Sequence, residues 1–359
     1  MEIDLEAIRG NVRAIAAAVA PARVCAVVKA DAYGHGDAPV AGAVLDAGAG
    51  HLAVALVSEG ARLREAGIDA PILLLSEPFG EAAREVVEWR LTPTIYRTPF
   101  LEAMIEAAPD GYPVHVKVDT GMHRVGAPPG EAVALARRIA ESALHLEGVW
   151  THFAVAEEDP EFTAGQTAAL GDVVAALGDE GIRPDLVHAA NTAGALGHPE
   201  ARLDMVRVGL GVYGLRPVPG MAPEVALVPA MRVVSRVSHL QRLPAGARPS
   251  YGRRRPLPAE STVATVPIGY ADGLPRRLVD GGGTVLIRGV RYPFAGSVTM
   301  DQIVVEVGDD PVEIGDPVVL LGPQAGDEIT ADEWAERLGT ISYEVVCGFG
   351  PRMPRRYRS

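Results

Sequence analysis

The stretch "VVKADAYGHG", residues 27–36, joins the end of an apolar run to a glycine-rich turn. The apolar residues lead directly into Lys29, as at the end of a buried strand. Burial lowers the pKa of a lysine, and a lysine that loses its proton readily suits Schiff-base chemistry. Gly34 and Gly36 then permit backbone conformations that other residues avoid. The stretch therefore predicts a reactive lysine where a strand ends in a tight turn.

Seven more apolar runs of strand length follow within the first 226 residues. Stretches with apolar residues at helical spacing separate them, such as "EAVALARRIAES" at 131–142. Apolar strands that alternate with helices favour parallel pairing, and eight such units predict an α/β fold, a TIM-type (β/α)8 barrel. A doubly wound open sheet is the alternative, although no G-x-G-x-x-G follows the first strand. The predicted strands are "RVCAVVK" (23–29), "HLAVAL" (51–56), "PILLLS" (71–76), "TPTIY" (92–96), "VHVKV" (114–118), "LEGVWTH" (146–152), "DLVHAA" (185–190) and "DMVRVG" (204–209).

The pattern changes after residue 226. Runs such as "MRVVSRVSHL" (231–240), "GTVLIRGVRYPFAG" (283–296) and "QIVVEV" (302–307) are short, rich in β-branched residues and separated by Gly, Pro and Asp turns. These features predict a smaller, mostly antiparallel β domain. We therefore divide the chain into a barrel domain at 1–226 and a C-terminal β domain at 227–359.

Composition excludes several classes of function. The formal net charge of −13 over 359 residues makes nucleic acid and anionic membranes poor partners, despite a short Arg-rich C-terminus. Two cysteines, Cys25 and Cys347, cannot form a disulfide framework, so we expect a reducing cytoplasm. No apolar run approaches the roughly 20 residues of a membrane span. Without H-E-x-x-H or a cysteine cluster, we expect no metal site.

Reactive side chains fall at the ends of the predicted strands, which is where a TIM barrel places its chemistry. Backbone N–H groups after the last two strands suit a phosphate. A Schiff-base lysine, a phosphate site and an arginine together indicate pyridoxal phosphate. The residues at or just beyond these ends are Lys29, Lys117, Arg124, His152, His188, Asn191, Thr192, Arg207 and Gly209.

The sequence resembles the alanine racemases, which are fold-type III pyridoxal-phosphate enzymes, over essentially its whole length. The first stretch matches the cofactor-lysine motif of that family almost letter for letter. The supporting matches are "KVDTGMHRVG" (117–126), "THFAVAEED" (151–159), "HAANTAGA" (188–195), "MVRVGLGVYG" (205–214), "PSYG" (249–252), "VPIGYADG" (266–273) and "SVTMDQ" (297–302).

The resemblance implies a role for each matching residue. Lys29 carries the cofactor and is one acid/base group, while Tyr251 is the other. A homodimer is implied, in which Tyr251 and the "TMDQ" segment reach the partner's site. The cofactor-binding set is Tyr33, Thr192 and Gly209 at the phosphate, His152 against the ring, Arg207 at the ring nitrogen with His188 bracing it, and Asn191 beside them.

The resemblance also implies a substrate site. Arg124 contacts the phenolic oxygen of the cofactor and positions the substrate carboxylate. Lys117 matches a lysine that is often carbamylated and orients this arginine, although a plain barrel lysine is an equally good interpretation. Tyr270 lines the entrance or packs in its domain core. Met300 and Asp301 close the substrate pocket.

Two positions depart from the family pattern. The family usually has glycine where this chain has His123, and some members have a phosphate-contacting tyrosine where this chain has Pro351. The leading hypothesis is a racemase that supplies D-alanine, for the cell wall or for another biosynthetic pathway. A racemase of serine or another small amino acid is the alternative. A fold-type III decarboxylase and a non-catalytic cofactor carrier are weaker alternatives.

Overall fold

The computed structural model describes residues 1–359 as two compact units. The larger unit comprises Glu6–Ala32 and Gly36–Val228, and the smaller comprises Met1–Leu5, Tyr33–His35 and Pro229–Ser359. The chain thus passes into the smaller unit two residues after the predicted boundary. The assignment of residues 1–5 to the barrel domain is corrected, because the first strand pairs with strands of the smaller unit.

The larger unit is the predicted (β/α)8 barrel. Its eight parallel strands form two sheets, in the orders β4-β3-β2-β9 and β5-β6-β7-β8. A parallel bridge between Leu73 and Thr92 joins the sheets on one side, and the Arg207 amide, which donates to the Ala190 carbonyl at 2.9 Å, joins them on the other. The strands are β2 (Arg23–Val27), β3 (His51–Val54), β4 (Ile72–Leu74), β5 (Thr94–Ile95), β6 (Pro113–Lys117), β7 (His145–Trp150), β8 (Leu186–His188) and β9 (Met205–Val208).

Helices alternate with these strands. The first shows why they form: Ile8, Val12, Ile15 and Val19 recur at helical spacing and are all buried. The longest is capped by Asp159, whose side chain accepts a hydrogen bond from a backbone N–H at 2.9 Å. The helices are α1 (Leu5–Val19), α2 (Lys29–Tyr33), α3 (Asp37–Asp46), α4 (Val57–Glu65), α5 (Ala83–Glu88), α6 (Thr98–Ala107), α7 (Pro129–Ala140), α8 (Pro160–Asp179) and α9 (Thr192–Gly197).

The turn α2, which follows β2, is left-handed. Its residues Ala30, Asp31, Ala32 and Tyr33 have φ between 51° and 55°, although none is glycine. Each costs roughly 1–2 kcal/mol in this conformation, so the surrounding structure must impose it. Gly34 continues the turn at φ 80°, and a Cβ there would lie 2.4 Å from a backbone carbonyl oxygen. The sequence predicted the tight turn but not its hand.

The smaller unit is mostly antiparallel, as predicted. One sheet has the order β14-β13-β16-β10-β1-β18 with β17 paired to β16, and a second has the order β11-β12-β15. Only β1 and β18 pair in parallel. The elements are β1 (Glu2–Asp4), β10 (Met231–Arg236), β11 (His239–Leu243), β12 (Ser261–Val266), β13 (Thr284–Ile287), β14 (Val290–Pro293), β15 (Ile303–Gly308), β16 (Pro317–Gln324), β17 (Asp327–Ile329), β18 (Arg356–Arg358), α10 (Ala331–Leu338) and α11 (Ser342–Cys347).

None of the helices combines the length and the apolar character that crossing a bilayer requires.

Candidate active site

Cationic side chains converge at the C-terminal ends of the barrel strands. Lys117 ends β6 and is buried, and burial together with the charges of Arg207, Arg124 and Lys29 lowers its pKa to about 7. Asp119 is the one carboxylate that opposes this effect. The end of the barrel is therefore a positive field suited to an anionic ligand.

Lys29 and Lys117 are the only lysines in the chain, and every other Lys/Arg position is arginine. Arginine does not lose its proton in proteins, whereas lysine does when its surroundings lower its pKa. The two lysines thus stand where a deprotonated amine is possible. The composition carries this signal, whereas the motifs alone do not reveal it.

Trp150 lies at the centre of this cluster and was also missed. Its ring centre is 4.2 Å from the Nζ of Lys117 and 4.3 Å from the Cζ of Arg207. The ring is also stacked on His188, with centroids 5.5 Å apart and an interplanar angle of 9°. The aromatic face supports two cations where no carboxylate does. An aromatic residue just before the strand-end histidine in "GVWTH" was the available signal.

Arg207 in β9 is buried, and all its acceptors are neutral. Its guanidinium donates to the carbonyl oxygens of Thr151 and Ala189 at 2.8 Å, to Nδ1 of His188 at 2.7 Å and to Nδ1 of His152 at 3.1 Å. Burial lowers the pKa of Arg207 to about 9. The guanidinium is held as a charged hydrogen-bond donor without a counter-ion.

The two histidines beside this arginine stay neutral. Burial and the charge of Arg207 hold the pKa of His152 and the pKa of His188 well below the usual value. Because arginine only donates, both rings must accept at Nδ1 and carry their proton on Nε2. They support the guanidinium without competing for the positive charge.

Thr192 and Asn191 organise the backbone after β8. The Thr192 hydroxyl accepts hydrogen bonds from the amides of Gly209 at 3.2 Å and Gly211 at 3.4 Å. The Asn191 side chain caps α9 by accepting from the Gly194 amide at 2.9 Å. A Cβ at Gly211 would lie 3.0 Å from Thr192, so glycine permits this close approach. The predicted phosphate residues of the barrel are thus brought together.

Arg124 follows β6 in an exposed loop, where it makes no ion pair. Asp119 shapes this loop by accepting from the backbone amides of Gly121 and His123, both at 3.0 Å. The ring of His123 also bonds Asp119 at 3.0 Å. His123 has φ 55°, a conformation that favours glycine. The departure from the family pattern is accommodated by this side-chain bond.

The smaller unit carries a second group of predicted residues on three joined segments. Ser250 donates to the Ser297 carbonyl at 2.7 Å, and Ser297 donates to the Tyr251 carbonyl at 2.8 Å. The Tyr270 amide donates to the Thr299 carbonyl at 2.9 Å. Three large side chains on these segments stand out into solvent. Their exposed fractions are 76% for Tyr251, 52% for Met300 and 44% for Tyr270. The exposure of Tyr270 weighs against a packed domain-core role.

Two further positions belong to the smaller unit. The carboxylate of Asp301 accepts from Arg352 at 2.9 Å, and this arginine follows the exposed Pro351. Tyr33 is buried against Tyr343, with ring centroids 6.2 Å apart, and burial raises the pKa of Tyr33. Tyr33 is therefore a neutral hydroxyl at physiological pH.

The donor set of the barrel fits pyridoxal phosphate. A lysine at a strand end suits its aldehyde, and a buried arginine with neutral acceptors suits its ring nitrogen. The hydroxyl and backbone amides around Thr192 suit its phosphate. No group of three or more His, Cys, Asp or Glu side chains has the geometry of a metal site. The fold and this cluster together define a barrel protein with a C-terminal β domain, whose barrel end suits an anionic cofactor.

The chain is similar to alanine racemases along nearly its whole length. Residues 3–217 match the model of the alanine racemase N-terminal domain, and residues 230–357 match that of the C-terminal domain. An alanine racemase of Symbiobacterium thermophilum is 46% identical, over 99% of this chain and 96% of that protein. One of Nostoc is 42% identical, over 99% and 94% respectively. The crystal structure of alanine racemase from E. faecalis superposes with a TM-score of 0.94 at 38% identity, covering 99% of this chain and 97% of that one.

The chain belongs to the alanine racemase family. It is accordingly an isomerase that depends on pyridoxal phosphate. The predictions of family, fold and cofactor are confirmed.

Proposed function

We propose that this chain interconverts L- and D-alanine, with Lys29 and Tyr251 moving the proton of Cα. The observation that carries the proposal is the cluster of cations at the barrel end. There the positive charges of Arg207, Arg124 and Lys29 lower the pKa of Lys117, and a single carboxylate opposes them. A phosphate ester, a phenolic oxygen and an amino-acid carboxylate are the anions that such a field attracts.

Racemisation takes a proton from one face of Cα and returns one to the other. The bound cofactor supplies the electron sink that makes this proton acidic. Lys29 serves one face and Tyr251 the other, so each is the base in one direction and the acid in the reverse direction. Inversion by a positioned acid/base pair uses both groups, so replacing either slows inversion strongly in both directions.

Arg207 is proposed to donate to the ring nitrogen of the cofactor. A guanidinium keeps its proton, so the nitrogen receives a hydrogen bond but no charge. A neutral ring withdraws electrons less strongly, which limits side reactions of the deprotonated substrate. His188 braces this arginine at 2.7 Å. The other residues proposed to hold the cofactor are Tyr33, His152, Asn191, Thr192 and Gly209.

Arg124 is proposed to bind the substrate carboxylate. It is exposed and unpaired within the chain, so it can take an anionic partner. Lys117 orients it, as a carbamate or as an amine. On the smaller unit, Tyr270, Met300 and Asp301 are proposed to line and close the substrate pocket.

A homodimer with two shared sites completes the proposal. Tyr251 is three-quarters exposed on hydrogen-bonded segments that also present Met300 and Tyr270. A tyrosine that serves as an acid/base group needs a dry, enclosed site, and a twofold-related copy supplies that enclosure to both chains.

Alanine is proposed as the substrate because the relatives compared above are named alanine racemases. Serine is the second candidate, since His123 lies beside the arginine that is proposed to bind the carboxylate. The product would be D-alanine for cell-wall or other biosynthesis in the cytoplasm.

The test is a chiral assay of pure protein loaded with pyridoxal phosphate, on L- and D-alanine and on L- and D-serine. We expect both alanine enantiomers to reach the same racemic mixture, with serine slower. Preferential conversion of serine would move the assignment to a serine racemase. Decarboxylation, or cofactor binding without turnover, would contradict the proposal.

A further inference from the structure

A chain of hydrogen-bonded side chains crosses the interior of the barrel. Arg207 Nη1 bonds Nδ1 of His188 at 2.7 Å, and Nε2 of His188 bonds Nδ1 of His115 at 3.0 Å. Nε2 of His115 then bonds Oε2 of Glu147 at 2.9 Å. The arginine and both imidazoles are at least 98% buried, and the Glu147 side chain is 23% exposed. This hydrogen-bonded chain of four side chains, called the hydrogen-bond chain below, connects β9, β8, β6 and β7.

The donor-only arginine at one end and the carboxylate acceptor at the other allow one consistent placement of the imidazole protons between them. Arginine has donors only, so Nδ1 of His188 accepts and its Nε2 carries the proton. That proton is donated to Nδ1 of His115, so the proton of His115 is on Nε2 and points at the Glu147 carboxylate. All the donated protons therefore point away from Arg207 and toward the single anion.

Glu147 is the carboxylate that the hydrogen-bond chain connects to Arg207. The other acceptors of the guanidinium are two carbonyl oxygens and Nδ1 of His152, all neutral. Leaving a buried charge without a counter-ion is costly, and hydrogen-bonded dipoles that end on an anion reduce that cost. The dipoles of the two imidazoles, oriented by Glu147, point their negative ends toward the guanidinium.

The strand beside the hydrogen-bond chain is built to admit it. Gly148 follows Glu147 in β7, and a Cβ there would lie 2.4 Å from Nδ1 of His115. Any other residue would push the His115 ring away from His188. Glu147 also faces His51 and His145, and its hydrogen bond is to His115.

We propose that Glu147 and His115 are positioning residues that fix the proton of His188 on Nε2 and so hold Arg207 as a donor. This inference rests on the proposed function, in which Arg207 faces the ring nitrogen of the cofactor. A neutral amide at position 147 has an N–H that can donate to His115. The hydrogen-bond chain would then reverse, and His188 would turn an N–H toward the guanidinium, which has no acceptor for it.

The first experiment reads the imidazole protons directly in the cofactor-loaded enzyme. Histidine labelled with 15N is incorporated, and His115 and His188 are assigned by single replacements. In the unmodified enzyme, both rings should show an unprotonated Nδ1 and a protonated Nε2. In Glu147→Gln, a second population with protonated Nδ1 should appear on both rings. Unchanged tautomers in Glu147→Gln would overturn the proposal.

Matched variants separate this effect from general damage. Asp185→Asn removes a carboxylate that bonds Nε2 of His145 at 2.8 Å on the same strand, outside the hydrogen-bond chain. It should leave His188 unchanged. Glu147→Asp keeps the charge and should restore the tautomer of His188 in part. A reversal in Asp185→Asn equal to that in Glu147→Gln would overturn the assignment to Glu147.

The second experiment measures the consequence for catalysis. In Glu147→Gln we expect kcat for alanine to fall about tenfold, by analogy with the loss of an outer hydrogen-bond partner, with KM nearly unchanged. The visible absorbance of the bound cofactor should shift with it. A reversed tautomer with unchanged kcat and spectrum would overturn the role in catalysis. Absence of racemisation in the unmodified enzyme would instead refute the proposed function and leave the tautomer result standing.

Discussion

The ammonium nitrogen of Lys117 lies 4.2 Å from the centre of the Trp150 ring, inside the barrel, with no carboxylate in ion-pair distance. Contact with an aromatic face stabilises a desolvated cation by about 2 kcal/mol, which is less than the hydration energy that the buried cation loses. Burial and three neighbouring cations bring its pKa to about 7. A fraction of this amine is therefore uncharged at neutral pH.

The uncharged amine predicts carbamylation of Lys117. Reaction with CO2 would replace a cation by an anion among Arg207, Arg124 and Lys29, which relieves repulsion. With 13C-bicarbonate we expect a carbamate resonance that grows as pH rises through 7 and disappears in Lys117→Met. The N-terminal amine is the internal control, since its carbamate should persist in the variant. A spectrum identical before and after the replacement would leave Lys117 as a plain amine.

If the dimer has shared sites, racemase activity should be recovered when two impaired variants are mixed. Homodimers of Lys29→Ala and of Tyr251→Phe should each racemise at least about 10²-fold more slowly than the wild type, while a heterodimer of the two has one site with both groups intact. Statistical mixing then gives about a quarter of the wild-type activity, from the symmetry of the dimer. Light scattering on the mixture checks the assembly. No recovery after subunit exchange would mean that each chain completes its own site.

Arg207→Glu should change the visible absorbance of the bound cofactor and lower racemisation by about 10² or more, as for loss of a preorganised donor. The reason is that a carboxylate would favour a protonated ring nitrogen, whereas the guanidinium supplies only a hydrogen bond. Arg138→Glu is the control, since this exposed side chain pairs with Glu102 on the barrel surface. Normal turnover and an unchanged spectrum would remove Arg207 from the ring nitrogen.

Asp119 predicts a pH-dependent stability of the loop that carries Arg124. Burial alone would raise the pKa of Asp119, but hydrogen bonds from His123 and Gly121 lower it overall. Because its pKa is lowered in the folded state, the ionised carboxylate stabilises the protein at pH values above the unfolded pKa of about 3.9. This stabilisation is lost as pH falls through the folded-state pKa. Asp119→Asn should therefore lower Tm at pH 7 more than at pH 3, and raise KM for alanine.

The control for this prediction is Asp110→Asn, at an exposed aspartate in a turn outside this loop. It should shift Tm little at either pH. Equal shifts in Asp119→Asn at pH 7 and pH 3 would show that the carboxylate charge does not stabilise the loop.

The barrel was predictable because each of its strands is a run of apolar residues in the sequence. All eight predicted strands exist, since strands buried on both faces need apolar residues at successive positions. The left-handed turn was not predictable, because Ala30 and Asp31 prefer other conformations and only the assembled structure imposes φ near 50°. The first strand was also missed, since a strand of three residues, two of which pair with positions 231–232, carries no local signal.

Within the site, strand-end residues were predictable and their support was not. Lys117 and Arg207 stand out because charge is unusual in an apolar strand. Trp150 and the His115–Glu147 pair read as ordinary strand residues, since their importance lies in contacts between strands that are far apart in sequence. Periodicity identifies the face of a residue but not its neighbour across the barrel.

The two-base assignment makes the most specific prediction. The family resemblance gives Tyr251 the proton of the L-enantiomer and Lys29 that of the D-enantiomer. Tyr251→Phe should keep the cofactor bound, because Lys29 still holds it, and inversion should fall by about 10² to 10⁴ in both directions. In D2O the variant should still exchange deuterium into D-alanine through Lys29, with little L-alanine formed and slow exchange of L-alanine.

Tyr270→Phe is the control, since it removes a hydroxyl from the same exposed cluster and should retain inversion. Equal exchange of both enantiomers in Tyr251→Phe would mean that one base reaches both faces, and near-normal inversion would transfer the second proton to another group, with Tyr270 the first to examine.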